Sequence, residues 1–268
     1  MDTKPFPKPD AGAEPRQGAQ AIRRALAVLR ILAAGREAGV PLAEVVRATG
    51  LTRPTVHRIV HVLIEEGIVE RQGKSGRYAI GNQVPELALA RPRRSPLLAA
   101  ADPILRRIAA QIGDTLFLTA RTGNDTLCVD RRIGSHPIQV LSIEVGARRP
   151  LGVSSAGVAI LAAMPAQEAL DIVAANERRF AAYRTDVSTV RAQIAAARRR
   201  GYNLREAGLV RGTKSVSAWI KSPDQRPAAA ITVSAVGTRL GPPRVLELAE
   251  LLLDAARAIE ANMRPAMR

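Results

Sequence analysis

Two stretches of the chain carry side chains that could do chemistry. The first is Thr52-Arg53-Pro54-Thr55-Val56-His57-Arg58-Ile59-Val60-His61. Wound as a helix, it gathers Val56, Ile59, Val60 and Leu63 on one side and leaves Arg53, Thr55, His57 and Arg58 projecting from the other. Guanidinium, hydroxyl and imidazole groups at the leading end of a helix suit base edges and phosphates in a DNA groove. Thr52 is placed to cap that helix, with Pro54 in its first turn. Lys74 lies in a later turn and Arg77 just after it, where cations suit the phosphate backbone. The second stretch is Gly152-Val153-Ser154-Ser155-Ala156-Gly157. It sets two hydroxyls at a helix start, where free N–H groups and the helix dipole favour an anion. Each stretch also has a plainer reading: exposed arginines are often only solvated, and Ser154 can be a simple helix cap.

Other chemistries lack their residues. His57 and His61 stand four apart, but no HExxH pattern surrounds them. One cysteine, Cys128, allows neither an internal disulfide nor a multi-thiolate zinc site, and reads as a small buried hydrophobe. The serine pair is not in a G-x-S-x-G frame, and His136 is the lone histidine of the C-terminal region. The reading is therefore a protein that is not an enzyme, with no cofactor and no metal.

Charge points the same way. The 268 residues carry 40 Lys and Arg against 24 Asp and Glu, a net charge of +16. Such an excess suits a polyanion, nucleic acid first and an anionic membrane surface second. Residues 19–81 hold ten basic and five acidic groups, and residues 95–268 hold 24 and 15, so charge alone does not choose the DNA-contacting half. The N-terminus has no apolar signal region, and the longest uncharged run, Pro150 to Gln167, is broken by Gly, Ser and Pro. The expectation is a cytoplasmic protein with no membrane partner.

Helical and strand periodicities then place these residues. Residues 1–18, rich in Pro and charge, read as a disordered tail. Ile22, Leu26, Leu29, Ile31 and Leu32 predict a first helix over 20–34. A second runs from Pro41 through Leu42, Val45 and Val46 to Gly50, and the Thr52 helix follows. Strands at 68–71 and 77–80 enclose a turn at 72–76. Two helices across a tight Gly turn, with a hairpin behind, make residues 19–81 a winged helix-turn-helix. Residues 82–96 read as a linker helix ending in an Arg/Pro-rich break at 90–96. The remainder, 97–268, alternates helices (97–112, 154–163, 166–175, 187–200, 245–263) with strands (114–121, 126–130, 214–220, 228–236), and reads 203–208 as a loop. That pattern is an α+β domain. Thr232 and Ser234 fall on one side of the last strand, facing either a ligand or solvent.

The runs RRALAVLRIL, LAEVVRATGLTRPTVHRIVHVLIEEGIVER and GRYAIG resemble the DNA-binding half of the IclR family of bacterial transcription regulators. RRPLGVSSAGVAILA, Gly201-Tyr202 and AAITVSAVGTRL follow in that family's order, so the resemblance covers about residues 20–264. It implies an N-terminal winged helix-turn-helix and a C-terminal GAF-like effector-binding and oligomerisation domain. It also implies homodimers, or dimers of dimers, on double-stranded palindromic operators. The pocket positions it implies are Ser155 and Ala156 beside Ser154, then Arg205 and Glu206, Ser215, and Thr232 and Ser234. The chain departs from the family where Arg205 replaces a usual carboxylate, Ser215 a cysteine, Gly157-Val158 a Gly-Lys pair and Gly152 a histidine. Arg205 favours a small carboxylate-bearing effector through a bidentate pair. The expected function is a ligand-responsive regulator, a repressor by resemblance. The alternative is a DNA-binding architectural protein with a degenerate, ligand-independent pocket.

Overall fold

A computed structural model of the chain describes residues 19–35, 38–89 and 95–263. The expected disordered tail, and residues 90–94 of the Arg/Pro break, lie outside the described residues. Contacts divide the chain into two compact units, Met1–Pro92 and Arg93–Arg268.

The first unit has helices α1 (Gln20–Ala34), α2 (Leu42–Thr49) and α3 (Arg53–Glu65) on a small antiparallel sheet. The strands are β1 (Val40–Pro41), β2 (Val69–Gln72) and β3 (Arg77–Ile80), in the order β1-β3-β2. Val28, Leu32, Val40, Val45, Val56, Val60 and Val69 form the core. Ile22 and Leu26, expected on the packed face, are 64% and 44% exposed. A core this small covers only the second half of α1, where Val28 and Leu32 are one turn apart. Pro41 precedes α2 with extended backbone and pairs with Arg77. The described part of the linker holds helix α4 (Gln83–Leu89).

The second unit is built on a six-stranded antiparallel sheet. Its strands are β4 (Thr115–Thr122), β5 (Asp125–Arg132), β6 (Arg148–Pro150), β7 (Asn203–Arg205), β8 (Thr213–Lys221) and β9 (Pro227–Val236). Their order is β6-β5-β4-β9-β8-β7. Period-2 alternation sorts the side chains. Leu116, Leu118, Val216, Ala218, Ile220, Ile231 and Val233 pack with helices α5 (Pro96–Ile112) and α9 (Pro242–Met263). Trp219 and Ala230 join the core of α6 (Ser155–Ala162), α7 (Ala166–Phe180) and α8 (Val187–Arg200). Every residue of α6 is buried, as expected of a helix apolar on all sides. The sequence reading placed 203–208 in a loop. Residues 203–205 are instead an edge strand, with Asn203 opposite Ser217 and Arg205 opposite Ser215. Its inward residues are polar, which reverses the pattern by which a half-buried strand is recognised.

Candidate DNA-reading helix and effector cavity

The first site is the leading end of α3. Gly50 closes α2 at φ +67°, a left-handed conformation that glycine adopts without a Cβ clash, and its N–H donates to Val46 O at 3.0 Å. That turn sends the chain directly into α3. Thr52 sits at the cap, but its hydroxyl meets Thr55 Oγ1 at 2.9 Å rather than a backbone N–H. The first-turn N–H groups are thus not capped by the threonine. Arg53, His57 and Arg58 are exposed and Thr55 is half-buried, while Val56 and Val60 are buried beneath them. Further along, His61 Nδ1 lies 3.1 Å from Glu65.

The hairpin divides its two cations. Lys74 lies in the turn Gly73–Ser75, and its contacts are outside the described residues. Arg77 is half-buried: Nε donates to Ala38 O at 2.7 Å and Nη2 to Gly39 O at 3.0 Å. Two of its three nitrogens therefore tie the hairpin to the segment before α2.

The second site is a cavity of about 520 Å³ of atom-free space at the start of α6, part of it open to solvent. Ser154 caps α6, accepting the Gly157 N–H at 3.1 Å. Ser154, Ser155 and Ala156 line one side. Ser215, Thr232 and Ser234 line the floor, buried under α6 rather than facing bulk solvent. They stand in register, Ser215 opposite Ser234 and Ser217 opposite Thr232. Phe117 and Val140 supply apolar wall.

Two arginines also line the cavity, Arg205 from the end of β7 and Arg149 from the middle of β6. Arg205 Nε donates to Ala207 O at 2.9 Å, and its Nη1 donates to Val153 O. Arg149 Nη2 donates to Ser142 O. These carbonyls orient the guanidinium groups without neutralising them. Burial pushes the Arg205 guanidinium below its usual value, and the nearby Arg149 charge pushes further. Burial likewise lowers Arg149, partly offset by Tyr183 and Cys128. Among the described residues, no carboxylate lines the cavity. The site is a half-buried pair of cations over a hydroxyl-covered floor, a setting that favours an organic anion.

The sequence matches the IclR helix-turn-helix domain over residues 21–73 and the bacterial transcriptional regulator IclR C-terminal domain over residues 92–261. The chain belongs to the IclR family. It is 26% identical over 257 residues to the transcriptional repressor IclR of Escherichia coli strain K12, across 94% of this chain and 93% of that protein. It is 27% identical over 250 residues to the repressor AllR of Klebsiella pneumoniae, across 92% and 91%. An IclR transcriptional regulator from Silicibacter sp. TM1040 shares its fold at a TM-score of 0.78 with 25% identity, over 92% of this chain and 98% of the other. An IclR homologue from Microbacterium hydrocarbonoxydans, solved with 4-hydroxybenzoate, aligns at 0.70 with 25% identity, over 91% and 99%. This IclR-family chain is thus a DNA-binding transcriptional regulator with a C-terminal effector-binding domain, and its family is one of regulators rather than enzymes.

Of the expected pocket residues, the cavity brings together Ser154, Ser155, Ala156, Arg205, Ser215, Thr232 and Ser234. Glu206 is not among its lining: it is 63% exposed and pairs with Lys214 at 2.7 Å. β7 ends at Arg205, which stands opposite Ser215, and Glu206 lies just past the strand, held by Lys214. Sequence reasoning missed Arg149. The doublet Arg148-Arg149 entered only as the start of the run RRPLGVSSAGVAILA, and β6 exposes the first arginine and half-buries the second.

Proposed function

We propose that the protein is a cytoplasmic repressor whose operator affinity is set by a small carboxylate-bearing metabolite. The observation that carries this reading is the pair Arg149 and Arg205, half-buried in one cavity with no acidic residue in its lining. A carboxylate supplies the missing counter-charge and can accept two parallel N–H bonds. The Microbacterium relative was solved with 4-hydroxybenzoate, itself a carboxylate, which supports the same ligand class here.

Thr52, Arg53, Thr55, His57 and Arg58 read the operator from α3, with Lys74 and Arg77 near the backbone. The repressor operates as a homodimer or a dimer of dimers. Exposed Ile22, Leu26, Leu87 and Leu89 in the DNA-binding unit support that association, as apolar surface of this kind favours burial against a second copy. The ligand acts by binding the operator-competent and operator-free states unequally, and shifts repression by no more than that difference.

Calorimetry of small acids against their neutral amides tests the reading. The acid is expected to bind and to raise the melting temperature of the chain, while the amide does neither. A saturating acid at a hundredfold its Kd adds about 2.7 kcal/mol of stability. Equal affinity for an acid and its amide overturns the carboxylate assignment. A chain whose melting point no acid moves, while operator binding persists, points instead to a ligand-independent pocket.

A further inference from the structure

Behind the cavity floor lies a hydrogen-bond network whose two deepest members do not line the cavity. Asn203 is 1% exposed and Ser217 is 0% exposed. Ser217 Oγ donates to Ser155 Oγ at 2.8 Å and lies 2.7 Å from Thr232 Oγ1. Asn203 Nδ2 donates to Ser155 Oγ at 2.9 Å and to Ser155 O at 3.2 Å.

A hydroxyl has one proton and two lone pairs, so these contacts fix directions. Ser217 uses its only proton at Ser155. In the contact with Thr232 it must therefore accept, and Thr232 must donate. Thr232 turns its proton inward and offers the cavity lone pairs alone. Ser155 Oγ already accepts from two donors, so the valence left to it is its own proton. The neighbouring pair Ser215 and Ser234, 2.8 Å apart, has no such constraint, and either hydroxyl can donate.

We infer that Ser217 and Asn203 are positioning residues that hold Ser155 as a donor and Thr232 as an acceptor, and so select a carboxylic acid that also carries a hydroxyl. The inference rests on the carboxylate reading above and adds the second recognition group. Ser155 and Thr232 both line the cavity and share Ser217 Oγ as a partner, at 2.8 and 2.7 Å, so a single ligand hydroxyl is placed to meet the two. A hydroxyl accepts from Ser155 and donates to Thr232. A carbonyl or fluorine can only accept, so it keeps the Ser155 bond but sets lone pair against lone pair at Thr232, and a site built to bond a hydroxyl rejects such an analogue.

The test uses the full chain and two matched pairs of probes, lactate with pyruvate and 4-hydroxybenzoate with 4-fluorobenzoate, each titrated by calorimetry. In the native chain the hydroxy member of a pair that fits binds at least about tenfold tighter than its partner. Ser217→Ala frees the Thr232 proton, and the ratio falls toward one. Asn203→Ala, which removes one donor to Ser155, lowers the ratio less. Ser217→Thr keeps a hydroxyl at the same place and restores the preference. Melting curves confirm that each variant is folded, and a general loss of packing would weaken both members of a pair without moving their ratio. Equal binding of the two members by the native chain, or an unchanged ratio in Ser217→Ala, overturns the inference and leaves the carboxylate reading standing. If the native chain binds no carboxylate, benzoate and propionate included, the carboxylate reading falls and this inference with it.

Discussion

At the scale of single residues, the arginines of the DNA-binding unit divide into those the fold has engaged and those it has left free. Arg53 and Arg58 stand on the exposed face of α3, and no ion pair to either is seen among the described residues. Arg77 is bonded to two backbone carbonyls. Replacing Arg53 or Arg58 with Ala should cost roughly 1–3 kcal/mol of operator affinity and loosen preference at one base position. Gel-shift titration against the operator and its single-base variants measures both effects. Arg77→Ala should behave differently, because removing it leaves the Ala38 and Gly39 carbonyls without their charged donor. A drop of roughly 1–2 kcal/mol in folding stability is expected from that loss. Denaturant melts giving native stability for Arg77→Ala would show that its carbonyl bonds contribute nothing.

At the scale of elements, helix ends decide geometry. Gly50 has nothing within 4 Å of where a Cβ would stand, so Gly50→Ala meets only backbone strain at φ +67°. The cost is about 1 kcal/mol, read as a lower denaturation midpoint. The cap of α8 supplies a pH prediction. Asp186 accepts the Thr189 N–H at 2.7 Å, and this bond, followed by that from Ser188, holds its carboxyl below the usual carboxylate value. A carboxyl lowered on folding contributes stability above its unfolded pKa and loses it as the pH falls through the folded one. Asp186→Ala should therefore melt below the native chain at neutral pH, and the gap should close in acid. A gap that stays constant to low pH would remove the carboxylate from the cap.

Those same ends were the legible part of the sequence. Gly50, Thr52, Gly201 and the 3.6-period valines predicted their helices to within a residue or two, because caps and periodicity are local. Strands β6 and β7 were not legible. Each is three residues long, and each turns an arginine inward, where local pattern expects an apolar side chain. Ile22 and Leu26 misled in the opposite direction, since apolar spacing cannot tell a covered face from an uncovered one. The cavity was half legible. Ser154, Ser155, Ser215, Thr232 and Ser234 fall on predicted elements, but Arg149 and Arg205 come from strands at opposite edges of the sheet and meet only in the folded cavity.

At the scale of the whole molecule, the charge of +16 has to be apportioned between DNA binding and the fold. Much of the basic charge in the second unit is engaged. Arg239 forks onto the buried Asp114 at 2.7 and 3.2 Å, and Arg132 reaches Asp102 and Asp130 at 2.7 and 2.8 Å. Arg198 donates to the Ala162 and Met164 carbonyls at 3.0 and 2.8 Å. Arg199 and Arg200 lie in the last turn of α8, where cations complement the helix dipole. On this account the operator meets few of these charges, and salt dependence should report α3 and the hairpin rather than the second unit. Each phosphate contact contributes a slope of about 0.9 in log affinity against log salt. Arg58→Gln, which removes one charge from the DNA-facing side of α3, should flatten that slope by up to one such step. The double change Arg199→Gln with Arg200→Gln should leave the slope as it is. A flattened slope in the double variant would mean that the second unit also grips the duplex, and the basic charge of α8 would then belong to DNA rather than to the helix.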